Sequence, residues 1–410
     1  MQLEIRPNSN DKRTFELTKK LANQQVGRMV QNKGFAIVTY DRTFGESGRG
    51  NGQYRLPRHI TALPDGQLCV SDSVNQRLQV ITPEGDFVRS IGEPGSGNGQ
   101  LRGPCGIACE NQQLFVVEGG NHRVQKLALG DGAPLGKAGS HGSKKTGELW
   151  CPHGVCINKG QAFVADYING RVVVYDIGSM EHVRTFGTRG SKEGELEYPC
   201  GIAVKGEEVF VAEFGNHRIS VFTKKGNFER ILGGEGKEPG RFFQPRSVLI
   251  VKGWLLVTEP KRVTVCATTR AGRGRACAGA CTGGGAHLDS WRRFLAPTCV
   301  PFLFPQIMSP DVGEPQQTLE LPGAGQLWGA CKDEAQTRVF VTDIRAGHAR
   351  IFVLNVVGNQ FDDGAGGKAV NMNAAAAKAA EAAAKLKEWK EQKAAEAAKK
   401  EVSGDSAGDH

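Results

Sequence analysis

The sequence predicts an all-β fold, a six-bladed propeller, on three observations. A unit of four short strands recurs behind an opening proline at Pro57, Pro104, Pro152, Pro199 and Pro245, at spacings of 47, 48, 47 and 46 residues. An acid recurs at the end of each second strand: Asp72, Glu118, Asp166, Glu213 and Glu259. A basic residue then opens each third strand: Arg77, Arg123, Arg171, Arg218 and Arg262. One four-stranded meander is too small to be stable alone; a fixed repeat lets each unit bury its face on the next.

The clearest unit, PCGIAVKGEEVFVAEFGNHRISVFTKKGNFERILG, predicts strands over 201–204, 209–212, 218–222 and 228–232. Each is rich in Val, Ile or Phe and bounded by Gly, Asn or Lys-Gly turns. Asn75, Asn121, Asn169 and Asn216 stand three places after their acids, where Asn and Gly tolerate left-handed backbone. The acid can then accept from the arginine fork across the turn. A group present in every unit reads as scaffold, because a catalytic group is needed once.

After Pro245 the unit starts normally, with a turn two residues shorter, and then breaks. Residues 267–306 are rich in Arg, Gly, Cys and Pro and lack strand alternation. Taking Gln326 as the sixth unit's opening position, their removal restores the period, so they read as an insertion between third and fourth strands, either a retained intron or a loop. A zinc knuckle from Cys277, Cys281, His287 and Cys299 has irregular spacing and is disfavoured. The fourth strand resumes in IMSPDVGEPQQTLELPG, and Asp343 and Arg350 mark the sixth unit. That unit has a poor fourth strand of its own, so residues 35–45 should supply it and close the ring, removing exposed sheet edges. The organisation is thus a basic segment 1–32, a propeller 33–360 and a linker with a charged tail 361–410. The tail's Ala/Lys/Glu run, with Glu381–Lys385 and Glu396–Lys400 pairs, predicts a C-terminal helix.

The net charge of +9 splits as +3 in 1–32, +4 in 267–306, +1 in 364–410 and +1 elsewhere. The repeated core is therefore nearly neutral, which weakens a general nucleic-acid reading. No apolar run is long enough for a membrane span, the N-terminus carries no apolar signal core, and the 11 Cys read as reduced thiols of a cytoplasmic protein.

The units closely resemble NHL repeats. PCGIAVKGEEVFVAEFGNHRISVF and PCGIACENQQLFVVEGGNHRVQKL carry Asn216-His217-Arg218 and Asn121-His122-Arg123 at the family's namesake turn, behind Gly-rich lead-ins such as GTRGSKEGELEYP. The resemblance implies a six-bladed NHL-type β-propeller, and in tripartite-motif NHL proteins such propellers bind RNA or protein. The RING and B-box cysteine–histidine patterns are absent from this sequence, so ligase chemistry is not implied.

In a propeller the loops before each first strand converge on the central channel. The residue after each proline samples that ring: Arg58, Cys105, His153, Cys200 and Arg246, with His59 one step on. The lead-ins add Tyr54, Trp150, Tyr198, Arg241 and Phe243. Such a face suits a protein partner, the leading expectation, or single-stranded RNA, the alternative. The packing alternative puts the aromatics between blades. A metal-dependent lyase or lactonase would use His59, His153, Cys105 and Cys200 as zinc-type ligands. With no carboxylate and no clear general base beside them, the expectation is no enzyme, no metal and no cofactor. His122 and His217 read as turn scaffold.

Overall fold

The middle strands of each unit are continuous apolar runs, such as VFVA and VVVY, which suits strands buried on both faces; the outer strands alternate. The computed structural model describes residues 36–238, 240–266, 315–321, 324–344 and 349–358, and every regular element among them is a β-strand. Six four-stranded antiparallel sheets form the blades. Blade 1 is Pro57–Ala62, Leu68–Asp72, Arg77–Ile81 and Phe87–Ile91; blade 2 is Pro104–Glu110, Gln113–Glu118, Arg123–Ala128 and Pro134–Ala138. Blade 3 is Val155–Asn158, Gln161–Asp166, Arg171–Asp176 and His182–Phe186; blade 4 is Pro199–Lys205, Glu208–Glu213, Arg218–Thr223 and Phe228–Gly233. Blade 5 is Ser247–Val251, Trp254–Thr258, Arg262–Cys266 and, across the interruption, Pro315–Glu320. The segments 1–32, 267–306 and 361–410, with the zinc-knuckle residues and the tail helix, lie outside the described residues.

Blade 6 is built from both ends of the propeller: Leu327–Lys332, Arg338–Asp343 and Arg350–Gly358 are completed by the N-terminal strand Ala36–Phe44, paired antiparallel from Ala36↔Gly358 to Phe44↔Ile351. Ring closure by the N-terminal strand is as expected. The sixth opening position is one residue later than the sequence suggests: Leu327, not Gln326, pairs with Asp343, as Pro57 pairs with Asp72 and Pro199 with Glu213. Proline is absent there, so the sequence offered no fixed mark for the register.

Each hydrophobic cluster lies between two consecutive blades. Val211, Val209 and Phe222 of blade 4 pack with Phe163 and Val174 of blade 3, and Phe340, Ile351 and Val353 of blade 6 pack with Val70 and Ile81 of blade 1. The residue three places before each opening position plugs such an interface: Tyr54, Leu101, Leu149, Leu196 and Phe242 are all fully buried or nearly so. Tyr54 is therefore core. That overturns its expected place on the binding rim.

Each turn acid is a hub. Asp72 accepts from the Arg55 backbone N–H at 2.7 Å, Asn75 at 2.8 Å and Arg77 Nε at 3.0 Å. Glu118 accepts from the Arg102 N–H at 2.9 Å, Asn121 at 2.6 Å and Arg123 Nε at 2.6 Å. The arginine also reaches past its acid: Arg123 donates to the carbonyls of Ser96, Gly97 and Gln100. One acid–arginine pair thus folds the lead-in loop down onto the turn. His122 and His217 accept through Nδ1 from the backbone of Cys151 and Gln244 in the next blade's lead-in, so they join neighbouring blades.

Candidate functional site at the channel mouth

The lead-in clamp determines which residues face the channel. In four of the six blades the inner strand carries one extra residue immediately after the opening position, with register shifts between Pro57 and His59, Pro104 and Ile107, Pro199 and Ile202, and Leu327 and Ala330. A bulge re-aims a side chain, and here it turns one in each of those four inward. The channel is lined by Arg58, Cys105, His153, Cys200, Arg246 and Trp328, one from each blade. His59 lines it one step further in.

The next position explains the tightness of the ring. It is Gly106, Gly154, Gly201 and Gly329 in four blades. A Cβ on Gly154 would lie 2.2 Å from the Cys200 carbonyl oxygen, and one on Gly329 2.6 Å from that of Arg58. In the two blades without glycine a hydroxyl bridges instead: Ser71 Oγ donates to the Cys105 carbonyl at 2.7 Å, and Thr258 Oγ1 to the Trp328 carbonyl at 2.6 Å.

A chain of contacts crosses the ring. Arg58 Nη1 lies 3.2 Å from His153 Nε2 and donates to Cys105 Sγ at 3.4 Å. Guanidinium only donates, so Nε2 is the acceptor and the imidazole proton sits on Nδ1, facing Cys200 Sγ at 3.8 Å. Burial, then the charges of Arg58 and Arg246, hold His153 well below the usual histidine range. Burial lowers His59 to about 4 and pushes the Cys200 thiol up to about 12. Arg246 is 6% exposed. Its guanidinium lies 4.2 Å from the Trp328 ring centre and 5.3 Å from that of Phe214. Arg58 lies over the same indole at 5.2 Å. Burial lowers the Arg246 pKa, and Arg58 adds to the lowering.

The residue two places before each opening position holds the same place in every blade, its backbone N–H clamped by the turn acid, and so repeats around the ring as a rim: Arg55, Arg102, Trp150, Glu197, Phe243 and Gly325. Trp150 and Phe243 are each 42% exposed, edged by His141 and His217. Their backbone N–H groups are held by Asp166 and Glu259 at 2.7 and 2.8 Å, which leaves the rings outward. Tyr198 is half-buried, against Tyr167 and beneath Arg189. Arg241 is exposed but does not line the channel; its Nη1 lies over Gly234 of its own loop. The sequence placed it on the rim because it could not show which way the loop folds.

Trp328, Tyr167 and Phe214 were missed. For Trp328 a signal existed: LWGAC aligns on its glycine with PCGIA and PHGVC, which puts Trp328 beside Cys105 and His153. Tyr167 and Phe214 directly follow turn acids, a position that carries Ser73 in blade 1 and Gly119 in blade 2, so no residue type marks it. The zinc-type set is not assembled. Among the described residues no three His, Cys, Asp or Glu side chains are placed to hold a metal ion, and Arg58 stands between Cys105 and His153 where it would repel a dication.

Residues 149–175, the end of a lead-in and the first three strands of blade 3, match the NHL repeat family. The fold is thus a six-bladed β-propeller, and its third blade carries a match to the NHL repeat. No curated protein sequence matches the chain. Among solved structures, one similar to it is a structural-genomics protein of unknown function from Bacteroides thetaiotaomicron, at 14% identity and a TM-score of 0.51, covering 79% of this chain and 77% of that one. A streptogramin B lyase structure is similar at 13% identity and a TM-score of 0.46, covering 78% of this chain and 98% of that one. Among the described residues no helix is long and apolar enough to cross a membrane.

Proposed function

We propose that this protein is a non-enzymatic interaction scaffold that binds a protein partner on the face where the lead-in loops surround the channel. The carrying observation is the make-up of the rim. Trp150 and Phe243 are large aromatics open to solvent on clamped backbone, and Arg55, Arg102 and Glu197 put both signs of charge around them. Half-exposed aromatics and arginine on a rigid frame are what protein hot spots use. The RNA reading suggested by tripartite-motif NHL propellers calls for a continuous positive groove with stacking rings, whereas Glu197 interrupts the rim and binds Arg189 at 3.1 Å. The non-enzymatic part draws on His153, whose Nε2 is taken by Arg58 and whose pKa is far below neutrality; a general base needs an open lone pair near the working pH.

The test is crosslinking and affinity capture with wild type beside a Trp150→Ala/Phe243→Ala double variant. Loss of protein crosslinks with RNA crosslinks unchanged supports the reading. Loss of RNA crosslinks alone replaces it with RNA binding, and no change in either overturns it.

A further inference from the structure

The channel ring holds two guanidinium groups and no acid. Its lining is completed by the thiols, the imidazoles, the Trp328 indole, Val155, Ile202, Ser247 and glycine backbone. Arg246 is 6% exposed, and among the described residues neither its Nε nor that of Arg58 has a hydrogen-bond acceptor. Beyond Nε, Arg246 reaches Gln326 Oε1 at 3.5 Å, a long contact for a buried charge. The turn carboxylates of blades 3 and 5 are committed elsewhere: Asp166 to Trp150 N–H, Asn169 and Arg171, Glu259 to Phe243 N–H, Arg262 and Thr264. His153 meets Arg58 through a ring nitrogen and supplies no negative charge in either protonation state. Two like charges, Arg246 buried and Arg58 half-buried, therefore meet in the channel with no counter-charge among the described residues, an arrangement that costs several kcal/mol unless an anion joins it.

We propose that the ring is a receptor for one carboxylate, delivered through the channel mouth by an acidic side chain of the partner and held between Arg58 and Arg246. The assignment rests on the partner-binding reading above. Its chemistry follows from the stack on Trp328. Trp328 lies within cation–π distance of both guanidiniums, and on each guanidinium edge an Nε–H is left with no acceptor among the described residues, beside further N–H groups. Those form the planar fork that accepts a carboxylate with two parallel hydrogen bonds. The space beside these side chains is small and opens at the mouth, so the entering group is compact and tethered, as the tip of an Asp or Glu side chain is. Arg58 and Arg246 belong to blades 1 and 5, on either side of the Trp328 blade, so an anion between them ties three blades together.

The experiment uses the full chain with three probes at matched ionic strength: sodium acetate, the blocked peptide acetyl-Gly-Glu-Gly-amide, and sodium phosphate. Thermal midpoint and carboxyl-13C line broadening are read. Wild type should show saturable stabilisation by acetate and at least about tenfold tighter binding of the peptide. Arg58→Met and Arg246→Met should each weaken acetate binding at least about tenfold, with Arg246→Lys intermediate because it keeps the charge without the fork. In acetate-free buffer Arg246→Met should melt no lower than wild type, because it removes an uncompensated buried charge. No saturable acetate effect on wild type, tighter binding of phosphate than of acetate, or an Arg246→Met protein that melts lower yet keeps its acetate response would overturn the proposal. Equal affinity for peptide and acetate would overturn delivery by a partner side chain. Acetate binding needs no partner. If it is found while the Trp150/Phe243 variant keeps its protein crosslinks, the partner reading alone fails; the reverse result removes the carboxylate site alone.

Discussion

Arg246 and Trp328 join blades 5 and 6 at the channel, guanidinium over indole at 4.2 Å. The same indole carries Arg58 of blade 1 at 5.2 Å, so one ring from blade 6 sits among the cations of both neighbouring blades. That contact lies where the ring closes, and it is made by side chains that no repeat rule specifies. A desolvated cation–π pair is worth about 2 kcal/mol. A double-mutant cycle of Trp328→Leu and Arg246→Met, followed by urea unfolding, should return a coupling of about 1–2 kcal/mol. A coupling near zero would mean that the stack is geometry without energy.

The acid hubs make a sharper contrast. Glu213 is fully buried and faces Arg218 Nε at 2.7 Å, Asn216, Ser220 and the Glu197 backbone N–H. Glu213→Gln leaves the Arg218 charge uncompensated and its loop unclamped, and should destabilise by about 3–5 kcal/mol. Glu197→Gln removes the half-exposed pair with Arg189 and should cost no more than about 1 kcal/mol. Chemical denaturation of the two single variants checks both figures. Equal losses would show that the hubs are not what holds the lead-ins.

The blade count, the closing strand and the positions of five channel residues were legible because each follows from a period. Proline, acid and arginine recur at fixed intervals, and the channel residue is a fixed step from proline. What escaped reading depends on local direction. Tyr54 and Trp150 both stand in lead-in loops, yet one plugs an interface and the other faces solvent, because each lies at a different step before the opening position. The sixth blade lacks proline, so its register was off by one and Trp328 went unrecognised. Arg241 shows the remaining limit: its type suited a rim, but the fold of its loop turned it aside.

Glycine beside the ring gives a steric test. Gly154 has no left-handed backbone to excuse it, and a Cβ there would meet the Cys200 carbonyl at 2.2 Å. A backbone oxygen in a packed ring cannot step aside as a side-chain tip can. Gly154→Ala should therefore destabilise by about 3 kcal/mol or more. Gly130, also outside the left-handed region, would place its Cβ with nothing within 4 Å. Gly130→Ala should be neutral or stabilising by about 0.5 kcal/mol. Thermal unfolding of the pair separates steric exclusion from a general preference for glycine.

The channel imidazoles, His153 buried and His59 half-buried, make stability fall with acid. His59 titrates at about 4 in the fold against an ordinary 6.5, because burial disfavours its charged form, and its Nδ1 lies 3.4 Å from the Ile107 N–H as acceptor. The unfolded chain thus binds a proton between these values that the folded protein refuses. Its contribution is complete above pH 6.5 and is lost as pH falls towards 4, amounting to about 3 kcal/mol. His153 acts in the same direction. His59→Gln keeps an acceptor and does not titrate. The stability difference between wild type and His59→Gln, measured by urea unfolding, should therefore shrink or reverse by about 2 kcal/mol between pH 7 and pH 4.5. Carboxylate titrations occur in both proteins and cancel from that difference. A difference that stays constant over the interval would place the His59 pKa near its ordinary value and contradict its burial.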